Sequence, residues 1–397
     1  MKIESVETIN LVFEYPPDER FRYGSGVCTH RLTTLIRVHT DRGLTRIGSI
    51  YSLCASLPDC QRPTCQGEDP TEIESLWEKM YGLTLWYGRK GVAMTTLGGI
   101  DTALWDLRGK VEGKPVWQLL GGERQTCPAY ASGLLWRDPE ELAKEAVGYI
   151  EQGYRRVKMR LARSEAYDTG AVRAVRQAIG ENNDIMVDAS MRYEPELAKR
   201  MGKFFEEQQI FWYEEPFAPD DIDAYADLRQ QINIPIAGGE NEFGLQGFRE
   251  MIRAGALDIA QPDASRCGGI SETWKVARMA QQNGLGVATH SWSNAHVVSA
   301  MPSGITVEID QMTNPFIEEL LGEPLQIQSG QLQLSRAPGL GIELDMSVVD
   351  RYRISAPLNI PDGVYSDMMF GRENFPEPFT YHEIDDRAKI ALTRTSR

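Results

Sequence analysis

Three carboxylates stand at equal intervals in the second half of the chain: Asp188 in Ile-Met-Val-Asp-Ala, Glu214 in Trp-Tyr-Glu-Glu-Pro and Glu240 in Gly-Gly-Glu-Asn, each step 26 residues. The polar series runs on through Asp263, His290 and Glu308. Asp188 and Glu214 end apolar runs, and burying three like charges without a cation is costly. Converging carboxylates suit Mg²⁺, which takes a few acids and keeps positions for water and substrate oxygens. Asp263 and His290 add proton chemistry, since a carboxylate bonded to an imidazole fixes its tautomer and raises its basicity. Lys158 and Arg160 lie two apart, so on a strand both side chains share a face, with Val157 and Met159 on the other. There they would hold a substrate carboxylate or draw charge from a reacting carbon. Glu308 would complete the polar ring.

The elements that must deliver these groups follow the same beat. Eight short apolar segments, at 128–132, 156–160, 185–189, 211–214, 235–238, 257–261, 286–288 and 305–308, alternate with helical patterns. Asp138-Pro139-Glu140-Glu141 is a helix start, and Leu197, Met201, Phe204 and Phe205 form the apolar stripe of a later helix. A strand–helix unit repeated eight times predicts an α/β barrel with its catalytic residues at one face. Residues 1–125 read as a separate α+β unit, with strands over 5–13 and 32–39 and helices over 72–81 and 98–110. Residues 126–329 then form the barrel. The Pro- and Gly-rich stretch 330–397 is expected to return to the first unit.

Composition narrows the function classes. The chain has 397 residues, 42% hydrophobic and 25% charged, and the formal charge is -15. That charge disfavours nucleic acid and anionic membrane surfaces as partners. No run reaches the roughly 18 apolar residues of a membrane span. Six cysteines without a Cys-x-x-Cys pair read as free thiols of a cytoplasmic protein, not a zinc site. His30, His39, His296 and His382 read as structural.

At eight motifs the chain resembles the enolase superfamily and, within it, the mandelate racemase subgroup. They are Val-Lys-Met-Arg (157–160), Val-Asp-Ala (187–189), Glu-Glu-Pro (214–216), Gly-Glu-Asn (239–241), Pro-Asp-Ala (262–264), Cys-Gly-Gly-Ile (267–270), Thr-His-Ser (289–291) and Val-Glu-Ile-Asp (307–310). The resemblance implies a modified (β/α)₇β barrel capped by an α+β domain built from the N-terminal segment and the C-terminal tail. It implies Mg²⁺ on Asp188, Glu214 and Glu240, and a proton taken from the carbon α to a substrate carboxylate. The metal and a lysine would stabilise the resulting enediolate. Asp263 and His290 would form the acid/base dyad, and a protonated Glu308 would donate a hydrogen bond to the enediolate. It also implies a homo-oligomer, a dimer or an octamer.

Two departures carry information. Many subgroup members have a second lysine where this chain has Arg160, and a guanidinium is a poor base but a good anion or hydroxyl ligand. A one-base reaction is therefore expected, with His290 removing the α-proton and returning it to a leaving β-hydroxyl. That is dehydration of an acid sugar to a 2-keto-3-deoxy acid. Racemases, epimerases and lactone cycloisomerases share the enediolate chemistry, and a non-catalytic sugar-acid binding protein would share the fold. Ser190 stands where many relatives have Asn. The resemblance implies substrate contacts from the capping segments Phe21-Arg22-Tyr23-Gly24 and Ser49-Ile50-Tyr51, with Arg22 and Tyr51 foremost, besides Lys158 and Arg160. Trp86-Tyr87-Gly88-Arg89-Lys90 is a further polar-aromatic stretch.

Overall fold

The computed structural model describes residues 1–23, 26–50, 64–322, 325–354, 363–365 and 368–370. Its N-terminal part is an antiparallel sheet. Strands β1 (Ile3–Glu14), β2 (Phe21–Tyr23) and β4 (Thr45–Ile50) all pair with β3 (Gly26–Thr40). One face of β1 and β3 buries Ile9, Leu11 and Leu35 and the other buries Ile3, Val6, Ile36 and Val38, so this sheet is covered on both sides.

Two helices cover that sheet, Ile73–Thr84 and Val92–Glu112. The second begins six residues before the expected start at 98. Thr95, Thr96, Gly98 and Gly99 are weak helix formers, but all four are buried, so packing overrides propensity. Gly98 is needed there: an added Cβ would meet Ala264 O at 2.6 Å and Gly269 N at 2.7 Å. The helix thus lies directly against barrel backbone. Asp101 accepts from the Ser271 amide and hydroxyl at 2.9 and 2.6 Å, and Trp77 Nε1 donates to Gly268 O at 2.7 Å.

Eight parallel strands then close a barrel. They are β5 (Thr126–Gly133), β6 (Arg156–Arg160), β7 (Asp184–Asp188), β8 (Trp212–Glu214), β9 (Ile236–Gly238), β10 (Ile259–Ala260), β11 (Gly286–Thr289) and β12 (Gly304–Asp310). Closure is made by β12 on β5, from Val307↔Ala129 to Asp310↔Ser132. Helices between the strands cover the outside, with Asp138 capping Pro139–Glu151 through the Glu140 amide at 2.8 Å. Inside, Tyr130, Met186, Trp212, Ala237, Ile259 and Ala288 make an apolar plug. The barrel is a packed core, and polar groups fit only at its open end.

The tail divides its contacts. β13 (Ile327–Gln328) and β14 (Gln331–Gln333) form a hairpin whose second strand pairs with the start of β5, so this stretch joins the barrel. Farther on, Tyr352 meets Phe13 edge to face at 5.9 Å. β15 (Gly363–Tyr365) and β16 (Met368–Phe370) extend the N-terminal sheet, with Met369 opposite His30. No helix among the described residues is long and apolar enough to cross a membrane. Cys28, Cys65, Cys127 and Cys267 are buried and take part in no disulfide among the described residues; Cys54, Cys60 and His382 lie outside the described residues.

Candidate active site at the barrel mouth

Strand register assembles the site. Arg160 pairs with Asp188 across β6 and β7, Asp188 with Glu214 across β7 and β8, and Glu308 with Tyr130 across β12 and β5. Lys158 sits one pleat below Arg160 and is fully buried, its Nζ 2.6 Å from Glu214 Oε1 and 2.5 Å from Glu308 Oε2. Arg160 is ion-paired to Asp188. Glu240 follows β9 and His290 follows β11, with His290 Nε2 2.8 Å from Glu240 Oε2 and 3.6 Å from both Glu214 and Glu308.

The Asp188, Glu214 and Glu240 carboxylates bring one oxygen each to within 4.8 Å of one another. That is an oxygen-only donor set in a buried site, which fits a hard divalent cation. Charge balance argues the same way. Four acids, Asp188, Glu214, Glu240 and Glu308, face two permanent cations, Lys158 and Arg160, and the remaining counter-charge is a protonated His290. Burial pushes Asp188 up to about 6 even with Arg160 beside it. Burial also opposes the charge of Glu214, but Lys158 and then His290 outweigh it and hold that carboxyl at about 2. His290 is driven well above the ordinary imidazole range: burial works against its charge, and Glu308 and Glu240 overcome it. A divalent ion on the three acids would supply the charge that His290 supplies here, freeing the imidazole to be a base.

Two expectations need correction. The hydrogen bond between Asp263 and His290 is not made. Asp263 Oδ1 caps the short helix Ala264–Cys267 through the Ser265 amide at 2.8 Å and accepts from Asn294 Nδ2 at 2.9 Å. The same Asn294 nitrogen donates to the His290 carbonyl at 2.6 Å, while His290 Nδ1 is buried without a partner. An Asp directly before a helix satisfies that helix's free amides first. Nor is Glu308 a proton donor here. Burial raises it, but Lys158, His290 and Arg160 prevail and lower it, and it accepts from Tyr130 OH at 2.8 Å.

The pocket over this layer is lined by Arg160, Glu240, Asp263, His290 and Glu308 at one end. Arg22 does not line it: its side chain is exposed on β2, and alternation turns Phe21 inward instead. Tyr51 lies outside the described residues. The 86–90 stretch stays outside the pocket, with Trp86 91% exposed and Lys90 paired to Glu242 at 2.9 Å. His296 is buried on Leu340 O at 3.2 Å, and burial lowers it to about 4.

Sequence reasoning missed four contributors. Tyr130 supports Glu308 from below, and Trp212 Nε1 donates to Glu214 Oε2 at 2.9 Å. Trp212 was legible, because it stands two residues before Glu214 and so shares its face. Arg31 and Asp310 also line the pocket, paired at 2.5 Å, and nothing local in the sequence joins residues 279 apart.

Known proteins agree with this architecture. The model of the enolase C-terminal domain-like family matches residues 141–348, and that of the mandelate racemase / muconate lactonizing enzyme N-terminal domain matches residues 18–121. The chain is similar to D-galactarolactone cycloisomerase of Agrobacterium fabrum, 32% identical over 90% of this chain and 100% of that protein. It is similar to arabinonate dehydratase of Saccharolobus solfataricus, 32% identical over 88% of this chain and 99% of that protein. A racemase from Streptomyces coelicolor A3(2), solved with bound magnesium, superposes with a TM-score of 0.83 at 28% identity, covering 89% of this chain and 100% of that one. With both domain families matched in order around one site, the chain belongs to the enolase superfamily, in its mandelate racemase / muconate lactonizing enzyme subgroup.

Proposed function

We propose that this enzyme is a Mg²⁺-dependent dehydratase of an acid sugar. The observation that carries the reading is the pairing of strand ends across the mouth. β11 delivers His290, whereas β6 delivers Arg160, a cation committed to Asp188 and unable to act as a second base. When bound to Asp188, Glu214 and Glu240, the ion supplies positive charge to the substrate carboxylate and to the electrons released at the α-carbon.

The chain's own groups do the rest. His290 Nε2 takes the α-proton, and the C–H electrons move into the carbon–carbon bond of an enediolate. The buried Lys158 ammonium, already in contact with Glu214 and Glu308, draws on that charge without solvent reorganisation. The imidazolium then gives its proton to the β-hydroxyl, the C–O bond breaks, and water leaves. The enol left behind becomes a 2-keto-3-deoxy acid. Asn294, bridging Asp263 and the His290 carbonyl, keeps the residue in place. The arabinonate dehydratase relative supports this outcome. The cycloisomerase relative favours a second reading, in which the same proton abstraction expels a lactone ring oxygen.

Screening mono- and diacid sugars and their lactones with Mg²⁺, and detecting 2-keto acid with semicarbazide, tests both. Dehydration expects product from an open-chain acid, lost on exhaustive chelation and recovered with Mg²⁺. Product from lactones alone would select the second reading. Full activity after chelation would end both.

A further inference from the structure

Beneath the four acids lies the apolar plug, and two of its six side chains carry a strong hydrogen-bond donor. Trp212, on β8, and Tyr130, on β5, are fully buried, and their rings meet edge to face at 5.4 Å. Each sends its donor upward into the acid layer. The Trp212 indole Nε1 donates to Glu214 Oε2 at 2.9 Å, and the Tyr130 hydroxyl donates to Glu308 Oε2 at 2.8 Å. Two donors of equal burial thus serve two different carboxylates. Glu214 belongs with Asp188 and Glu240 to the oxygen-only set that suits a hard divalent ion, and Glu308 lies outside that set.

Glu214 is the member of the set that most needs holding. One of its oxygens lies within 4.8 Å of an oxygen of Asp188 and of Glu240, and like charges so close repel. A glutamate also has more side-chain freedom to lose than an aspartate, so it can swing away unless it is gripped. Lys158 Nζ holds Oε1 at 2.6 Å and the indole holds Oε2 at 2.9 Å, so both oxygens are fixed. The two grips differ in kind. Lys158 is a cation and takes a share of the charge. The indole N–H is neutral and donates only, so it sets the direction of the carboxylate and leaves the charge for a metal ion. The other two acids are oriented by other means. Asp188 Oδ1 accepts from the Ser190 amide at 2.6 Å, inside its own turn, and Glu240 Oε2 meets His290 at 2.8 Å. Among the described residues, Glu214 is the one of the three that is oriented by a side chain of the apolar plug.

We propose that Trp212 is a positioning residue of the metal site, its indole N–H holding Glu214 in the direction from which it takes Mg²⁺. The proposal rests on Asp188, Glu214 and Glu240 as the ligands of the proposed reaction. Outer hydrogen bonds of this kind carry about 10- to 100-fold in metal affinity, so the N–H should show in binding itself.

Calorimetric titration of the whole protein with Mg²⁺ alone, without substrate, is the test. Trp212→Phe should weaken binding by about 10- to 100-fold. Tyr130→Phe removes a hydrogen bond of the same layer, made to the acid outside the set, and should weaken it by less than about threefold. A tryptophan that served only to fill the core would leave the two variants alike. If Trp212→Phe fails to fold, benzothienylalanine in place of Trp212 keeps the bicyclic ring, has sulfur for the N–H, and should show the same loss. Unchanged Mg²⁺ affinity in a folded Trp212 variant overturns the proposal, as does an equal loss in Tyr130→Phe. Substrate plays no part in this titration, so a failed screen for keto acid would sink dehydration and leave the proposal standing. An unmodified protein that takes up no Mg²⁺ would sink both.

Discussion

The two ends of the pocket are built on opposite terms. At the reacting end, side chains from consecutive barrel strands crowd four acids and three basic groups into one layer, and every carboxylate touches a basic group. Changing any one of them alters the charge felt by all the others. At the end facing the N-terminal domain, the Arg31–Asp310 ion pair sits among apolar side chains from three separate parts of the chain. The first arrangement stabilises developing charge and is indifferent to what the rest of the substrate looks like. The second lies beyond the acid–base layer, at the far end of the same pocket. Variants of the first should act on kcat, and those of the second on the ratio between substrates.

The largest effect should come from His290. Replacing it by Asn removes the proton acceptor and should lower kcat by about 10³ to 10⁴, the upper part of the range for a lost general base. Circular dichroism should show the fold retained, because what His290 loses, the ion pair to Glu240 foremost, is confined to the barrel mouth. Exchange of the α-proton in D₂O, followed by NMR, should vanish together with keto-acid formation. Exchange that persists would give the base role to another group and break the comparison at its first half.

A smaller effect sharpens it. Arg160→Lys puts a titratable amine at the strand end across from His290 while keeping a cation near Asp188. Keto-acid formation should fall by about tenfold to a hundredfold, since a lysine lacks the guanidinium's fixed fork. Substrate recovered from D₂O should then carry deuterium with inverted configuration at the α-carbon, and none should be inverted in the unmodified enzyme. Inversion by the unmodified enzyme would mean that a second base already exists.

The same contrast explains what could be read from the sequence. The reacting end was legible because its residues repeat with the strand–helix unit: Asp188, Glu214 and Glu240 keep a fixed step, and Lys158 and Arg160 keep strand alternation. The support below it was half legible. Trp212 follows alternation from Glu214, but Tyr130 reaches Glu308 only through barrel closure of β12 on β5. Asp263 misled in a physical way, because its position before Ala264–Cys267 gives its carboxylate to a helix cap in place of the imidazole. The end facing the N-terminal domain was illegible, since Arg31 and Asp310 meet only when two domains are docked. Arg22 was expected at the substrate from its place in the capping segment 21–24, yet its side chain is exposed, and the alternating neighbour Phe21 turns inward.

The seam that docks those domains offers the mildest test. Asp101, on the helix Val92–Glu112, is fully buried and binds the amide and hydroxyl of Ser271 at the start of Gly269–Gln282. Burial raises its carboxyl from the ordinary 3.8 to about 7, against the lowering effect of those hydrogen bonds and of Lys275. The folded protein therefore holds this proton more tightly than the unfolded chain does. Its contribution to stability is complete below about pH 4, declines as pH rises, and is gone above about pH 7. The loss across that window is about 4 kcal/mol at most. Asp101→Asn should flatten that part of the pH profile of the denaturation midpoint, because the amide has no proton to lose. Activity at neutral pH should change by less than about threefold, as for a residue remote from the reacting atoms. An equally steep profile in the variant would place the titrating group elsewhere. A large loss of kcat in a variant of unchanged stability would show instead that this seam holds the Asp263 turn in its working position, and the division between the two ends of the pocket would have to include it.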